Sequence, residues 1–183
     1  MSYLRNGFTY VSLGVATALF ALPMATAQQE PAPPSMTASS TAPADAKFVK
    51  EAADGGMAEV ELGQLALEKA SSSDVKQFGQ RMVEDHGKAN DELKQLAAQK
   101  HVDLPAEPSA KHKATKARLE KLSGEQFDKA YMADMLKDHK QDVAAFEKES
   151  KSAKDPDVKS FAAKTLPTLQ DHLKQAQSLA VSH

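Results

Sequence analysis

The sequence has 183 residues, enough for one domain with its own hydrophobic core. Hydrophobic residues make up 41% of the chain and charged residues 26%, which is typical of a soluble globular protein. The 23 Lys and Arg residues nearly balance the 25 Asp and Glu residues, so the chain lacks the basic surplus that a dedicated nucleic-acid-binding protein needs to neutralise phosphates.

The first 27 residues have the pattern of a signal peptide. Arg5 supplies a positive charge, an apolar stretch follows from about Val11 to Leu22, and Ala25-Thr26-Ala27 fits the small-x-small pattern of signal peptidase. The apolar stretch is shorter than the roughly 20 residues of a membrane-crossing helix, so we predict cleavage and no transmembrane span in the mature chain. An uncleaved anchor is the alternative. Export predicts a periplasmic or outer-membrane-associated protein.

Residues 28–44 read QQEPAPPSMTASSTAPA and are rich in Pro, Ser, Thr and Ala. With almost no large apolar side chain, this segment cannot bury enough surface to offset the entropy that it would lose on ordering. We therefore predict a disordered linker over residues 28–44 and a folded helical domain over residues 45–183.

Four stretches with apolar residues at helical spacing predict long helices. They run from about Asp45 to Ala70, Asp74 to His101, Gly124 to Ser152 and Pro156 to Val181. Asp45 is the expected N-cap of the first helix, and Ser123 with Gln126 has the pattern of a capping box for the third. Asp155 followed by Pro156 predicts an N-cap and a first helical position for the fourth.

Glycine and proline residues mark the departures from regular helix. Gly55-Gly56 predicts a local bulge or close packing in the first helix, and Pro167 predicts a kink in the fourth. The segment 102–109 holds two prolines and is predicted to be a loop. A short helix is expected over 110–122, with a basic cluster that we interpret as a solvated face rather than a binding patch.

Four amphipathic helices of this length fit an all-α, antiparallel four-helix bundle. The short connections within the first and second pairs of helices require antiparallel hairpins. The longer connection between the second and third helices accommodates the short extra helix.

Polar side chains interrupt the apolar face of each long helix. The inward positions are Glu59, His86, His139 and His172, one on each helix. Residues equally far from a hairpin turn lie at the same depth, and Glu59 and His86 are each 13 residues from the first turn. His139 and His172 are each 16 residues from the second turn. The register therefore predicts that all four side chains meet in one layer near the middle of the bundle.

One carboxylate and three imidazoles suit a first-row transition metal such as zinc, copper, iron or manganese. Asp85, Asp138 and Asp142 lie nearby as candidate acceptors that orient the histidine rings. The alternative is a metal-free network of buried hydrogen bonds, for example with an ion pair between Glu59 and His86.

Three motifs, MVEDHGKAN, MLKDHKQDV and TLPTLQDHL, resemble the bacterial family called domain of unknown function 4142, and the likeness extends from Phe48 to Leu179. The resemblance implies an exported, ferritin-like helical bundle and no established activity. Di-iron ferritin-like enzymes carry Glu-x-x-His on two helices. The residues three positions before the inward histidines are Val83, Leu136 and Leu169. Ferroxidase activity is therefore not implied.

Three hypotheses for function remain open. The first is an exported bundle that binds a transition metal or a small ligand through Glu59, His86, His139 and His172. The second is a non-catalytic structural or interaction module of the cell envelope, with another envelope protein as its partner and the polar layer serving only packing. The third is an oxidative enzyme with a redox metal, which would require an open coordination position. For other enzyme classes, the sequence offers no phosphate loop and no nucleophile elbow, and no catalytic triad can be argued from it.

Overall fold

The computed structural model describes residues 41–182, so the predicted signal peptide and most of the predicted linker lie outside the described residues. The described part contains five helices and no strand. They are α1 (Pro43–Lys69), α2 (Ser73–Gln99), α3 (Ala110–Leu119), α4 (Gly124–Ser152) and α5 (Pro156–Ser182). The all-helical class is confirmed. Within residues 41–182, no helix combines the length and the apolar character that crossing a membrane requires.

The long helices form two hairpins that pack together. Helix α1 packs along α2, and α4 packs along α5; each pair is joined by only three residues, which forces the two helices to run antiparallel. The hairpins contact each other through α1 with α4 and through α2 with α5. The short helix α3 lies against α1 and α4.

Asp45 does not cap its own helix as predicted. Helix α1 begins two residues earlier, at Pro43 after the N-cap Ala42, because proline fits the first turn, where no N–H partner is needed. The Asp45 side chain is buried and accepts hydrogen bonds from the backbone N–H groups of Lys154 (2.9 Å) and Asp155 (2.7 Å). It therefore satisfies free backbone donors in the turn between α4 and α5. The last two residues of the predicted linker, 43 and 44, therefore belong to α1.

A second aspartate makes the same link at the opposite end of the bundle. Asp128 on α4 is buried and accepts hydrogen bonds from the backbone N–H groups of Ser71 (3.1 Å) and Ser72 (2.9 Å), between α1 and α2. Asp45 and Asp128 are 83 positions apart, as are the two turns that they bind. The same offset relates identical residues in α2 and α5: Asp74 and Asp157, Val75 and Val158, Lys76 and Lys159, Phe78 and Phe161. The two hairpins are thus an internal repeat.

The predicted side-chain cap forms at the start of α5 but not at the start of α4. Asp155 caps α5 as predicted, since its Oδ1 atom accepts from the backbone N–H groups of Asp157 and Val158. Ser123 is the N-cap residue of α4, but its side chain makes no capping hydrogen bond. Gly124, the first residue of α4, has a φ of +61°. A capping box requires a helical backbone at this position, so the capping geometry is lost.

The Gly55-Gly56 pair causes no interruption, because α1 is continuous through both residues. A Cβ atom at position 56 would overlap the side-chain oxygen of Asn90 on α2. Of the two predicted alternatives, close packing is therefore the correct one. Pro167 lies inside α5, which continues past it to Ser182.

The hydrophobic core consists of two clusters separated along every long helix by a polar position. One cluster includes Phe78, Phe127 and Tyr131. The other, which we call the phenylalanine cluster, includes Phe48, Phe146 and Phe161. The residues between the two clusters are Glu59 on α1, His86 on α2, His139 on α4 and His172 on α5.

Candidate metal centre

The four inward residues predicted from the helix register meet in one buried layer. Glu59 is 5% exposed, His86 is 6% exposed, and the other two histidines are completely buried. One ring nitrogen from each of His86, His139 and His172 lies within 4.8 Å of the others. The Glu59 carboxylate reaches both His86 Nδ1, at 2.9 Å from Oε2, and His139 Nε2, at 3.5 Å from Oε1. We call these four residues the histidine layer.

A backbone carbonyl fixes the orientation of His139. Its Nδ1 atom lies 2.9 Å from the carbonyl oxygen of Met135, one turn earlier in α4. Because a carbonyl oxygen only accepts, Nδ1 must carry the proton and donate it. The lone pair of His139 therefore lies on Nε2, which points into the histidine layer.

A carboxylate fixes the orientation of His172, and it does so through Nε2, whereas His139 is held through Nδ1. Its Nε2 atom lies 2.9 Å from Oδ2 of Asp85, which is also bound by the Arg81 side chain at 3.2 Å. Burial raises the pKa of Asp85, but the hydrogen bonds from His172 and Arg81 outweigh burial and hold that pKa below its usual value. The ionised Asp85 accepts a hydrogen bond from Nε2–H, so the lone pair of His172 lies on Nδ1.

The two lone pairs face each other. His139 Nε2 and His172 Nδ1 are 3.4 Å apart, and neither atom carries a proton in the tautomers just derived. Two unprotonated nitrogens do not hydrogen-bond to each other, so this contact is unfavourable unless a positive charge or a hydrogen-bond donor lies beside them. The spacing is that of two ligands on a tetrahedral metal ion, for which nitrogen bonds of about 2.0–2.1 Å place the nitrogens about 3.3–3.4 Å apart.

His86 and Glu59 each leave one buried atom without a partner. His86 uses Nδ1 toward Glu59 Oε2, and among the described residues its Nε2 atom has no hydrogen-bond partner. Glu59 Oε1 is likewise buried and makes no hydrogen bond there. Leaving a buried polar atom unpaired costs about 1–3 kcal/mol. Such atoms point to a group that binds to them.

Burial keeps the histidines neutral at physiological pH. Removal from water lowers the pKa of His86 to about 4 and that of His172 to about 3, and it also lowers the pKa of His139. A proton is therefore a poor candidate for the missing positive charge near pH 7. Neutral imidazole is the form that binds metals.

Burial shifts the pKa values of the carboxyl groups of Glu59 and of nearby Asp142 in the opposite direction. Burial raises the pKa of Glu59 to about 7 and raises that of Asp142 well above its usual range. Asp142 forms a second set with Glu59 and His139, in which one candidate ligand atom from each lies within 4.8 Å of the others. Asp142 also stands 83 positions after Glu59, as its counterpart in the internal repeat.

The three predicted acceptors thus play different parts. Asp85 orients His172 as expected. Asp138 and Asp142 bind none of the three histidine rings by a hydrogen bond among the described residues, and the carbonyl oxygen of Met135 holds His139 instead. Sequence reasoning missed that carbonyl because it considered side chains only, although a ring nitrogen reaching back one helical turn is a local possibility.

The comparisons with known proteins identify a family and a fold. The model of the family described as "Domain of unknown function (DUF4142)" matches residues 30–179. The crystal structure of a DUF305 fragment from Deinococcus radiodurans is similar, with a TM-score of 0.69 at 15% identity, covering 78% of this chain and 99% of that one. The structure of CopM in its Cu(II)-bound form has a TM-score of 0.64 at 15% identity, covering 75% and 96%. No curated protein matches. At this level of identity the structural likeness concerns the fold alone.

Proposed function

The chain belongs to the family called domain of unknown function 4142, and we propose that its histidine layer binds one first-row transition metal ion. His86, His139 and His172 supply the ligand nitrogens, with the Glu59 carboxylate beside them. The observation that carries the proposal is the pair of unprotonated nitrogens, His139 Nε2 and His172 Nδ1, facing each other at 3.4 Å. A metal ion between them would turn a repulsive contact into two bonds.

The metal-free polar network is the competing interpretation of the same layer. A network that serves only packing should pair every buried polar atom. Here His86 Nε2 and Glu59 Oε1 have no partner among the described residues. Together with the facing nitrogens of His139 and His172, these atoms favour metal binding over the structural or interaction module.

The ligand chemistry narrows the choice of metal. Imidazole nitrogen suits zinc, copper and iron, whereas manganese prefers oxygen ligands. The layer offers three imidazoles and no thiolate, because the chain contains no cysteine. CopM, whose fold is similar, carries Cu(II) in its solved structure, and this supports testing copper first.

The cellular setting is part of the proposal. The signal-peptide pattern of residues 1–27 supports export, with the mature bundle working in the periplasm or at the outer membrane. The antiparallel ferritin-like arrangement implied by the family resemblance is the architecture that we propose for the exported domain. Metal storage, delivery or protection from excess metal are roles that such a binding protein could fill in that compartment.

Metal content is the direct test of the proposal. The mature chain, residues 28–183, would be purified without a His tag and assayed by mass spectrometry before and after exposure to copper, zinc, iron and manganese. We expect about one ion per chain in the wild type and in His101→Ala, which changes an exposed histidine outside the layer. His139→Ala should lose the ion. A wild-type chain that takes up none of the four metals would overturn the proposal.

A further inference from the structure

A small cavity lies beside the histidine layer, on the side of the phenylalanine cluster. Its volume is about 30 Å³, roughly twice the 10–15 Å³ that one water molecule requires. Glu59, His86 and Asp142 form its polar wall, while Phe146 and Phe161 form part of its apolar wall. Two of the four residues of the histidine layer therefore border a space large enough for a very small molecule.

The internal repeat explains why this space exists. The counterparts of His139 and His172 in the first hairpin, 83 positions earlier, are Gly56 and Ala89. Both of these small residues line the cavity. One hairpin thus supplies two imidazoles to the layer, and the other leaves room at the equivalent positions.

The unpaired polar atoms belong to residues on the wall of this cavity. His86 and Glu59 both line it, and His86 Nε2 and Glu59 Oε1 have no partner among the described residues. Both residues are more than nine-tenths buried. Asn90 and Thr165 add an amide and a hydroxyl to the same wall, so a polar occupant would find hydrogen-bonding groups there.

Glu59 is better placed to assist a bound molecule than to close the metal site. Its Oε2 atom holds His86 Nδ1 at 2.9 Å, an arrangement that orients a histidine ring and leaves the lone pair of His86 on Nε2. Oε1 is then free to accept a hydrogen bond. Three histidines with a fourth position occupied by water are the pattern of zinc sites that bind exogenous ligands, whereas purely structural sites are closed by four protein ligands.

We infer that the metal ion proposed above keeps one coordination position open toward this cavity, and that a water molecule or an anion the size of azide binds there. The inference rests on the proposed metal binding and adds its ligand class. In the resting state the site holds water, which donates a hydrogen bond to Glu59 Oε1. With a cavity of about 30 Å³, we expect azide to fit and the larger imidazole ring to be too big.

The test uses the mature chain loaded with Cu(II), after its metal content has been measured. We expect azide to produce a saturable charge-transfer absorption band with one site per metal ion, and imidazole to leave the spectrum unchanged. Pulsed electron paramagnetic resonance in D₂O should detect exchangeable deuterons on a copper-bound water in the wild-type chain. That measurement needs no variant and is independent of the anion titration.

Ala89→Leu fills the cavity from the position equivalent to His172, and Ala98→Leu makes the same change at an exposed site of α2. We expect at least tenfold weaker azide binding in Ala89→Leu, with unchanged metal content, and wild-type binding in Ala98→Leu. A copper-loaded wild type with neither an azide response nor a bound water would overturn the open position and leave metal binding intact. A chain that binds no metal would overturn both proposals.

Discussion

The Nε2 atom of His139 lies 3.4 Å from the Nδ1 atom of His172. The other nitrogen of each ring is held by a hydrogen bond. The carbonyl of Met135 and the carboxylate of Asp85 act as those two supports. Their chemistry determines both tautomers, since each oxygen can only accept a hydrogen bond. Under the proposed function, both lone pairs are therefore oriented before a metal ion binds.

Removing the support behind His172 should weaken metal binding without unfolding the bundle. Asp85→Asn takes away the ionised acceptor that selects the Nδ1 lone pair. We expect metal affinity to fall about 10- to 100-fold, the usual effect of losing a group that orients a metal-binding histidine. Isothermal titration calorimetry measures the change.

The matched control is Asp171→Asn, which changes an exposed carboxylate on α5 that lies 3.8 Å from the same Arg81 side chain. This variant should keep wild-type affinity. Equal affinities for both variants and the wild type would mean that Asp85 does not set the tautomer.

Metal affinity should increase with pH through neutrality because of Glu59. Burial raises the pKa of Glu59 to about 7, so near pH 6 the group is largely protonated in the metal-free chain. A nearby cation favours the carboxylate, and metal binding therefore releases this proton. The histidines add little to the slope above pH 6, since the pKa of His86 is lowered to about 4 and that of His172 to about 3.

Calorimetry in buffers of different ionisation enthalpy counts the released protons at pH 6. We expect Glu59→Gln to release about one proton fewer per metal ion than the wild type. Glu68→Gln, an exposed change on the same helix, should behave as the wild type does. An unchanged proton count in Glu59→Gln would contradict the assigned role.

Metal should stabilise the folded bundle, because the layer exists only when four helices come together. At a free metal concentration 100 times the Kd, the stabilisation is about 2.7 kcal/mol. For a domain of this size that corresponds to a rise in Tm of roughly 5–11 °C. Thermal unfolding with and without metal measures the rise, and His172→Ala should abolish it even if the Tm of the metal-free variant also changes.

The two buried aspartates that bind the turns should contribute to stability and not to metal binding. Asp128→Ala leaves the backbone N–H groups of Ser71 and Ser72 without their acceptor. We expect the free energy of unfolding to fall by about 2–3 kcal/mol. Denaturant unfolding measures it, and the metal content should stay at the wild-type value.

Asp91→Ala serves as the control for that experiment, because Asp91 is exposed on α2 and pairs only with a nearby lysine at the surface. A change below about 0.5 kcal/mol is expected for it. A similar small change in Asp128→Ala would show that the link between hairpins carries little stability.

The sequence was sufficient to predict the layer because helical geometry is regular. The rise per residue is constant, and both hairpins have short turns, so counting from each turn placed Glu59 opposite His86 and His139 opposite His172. The structure places all four side chains in contact at one depth, and their role as metal ligands stays a prediction. The helix bounds differ from the predicted ones by no more than three residues, which is near the usual uncertainty at helix ends.

Features that depend on distant parts of the chain were not predicted. Asp45 has the local pattern of an N-cap, but it binds a turn 109 residues away, which only the packed hairpins bring near. The cavity exists because Gly56 and Ala89 are small. The pattern of candidate ligand residues in the sequence carries no information about such an empty space. The internal repeat was present in the sequence, and an alignment of the two halves at an offset of 83 would have found it.

Anomalous diffraction at the absorption edge of the bound metal tests the central claim most directly. Crystals of the mature chain, grown after loading with copper or zinc, would be measured on both sides of that edge. We predict a single peak about 2 Å from both His139 Nε2 and His172 Nδ1, with His86 Nε2 completing the three ligands. Crystals of metal-loaded protein with no peak between these nitrogens, and with the two rings joined by a direct hydrogen bond, would contradict the account.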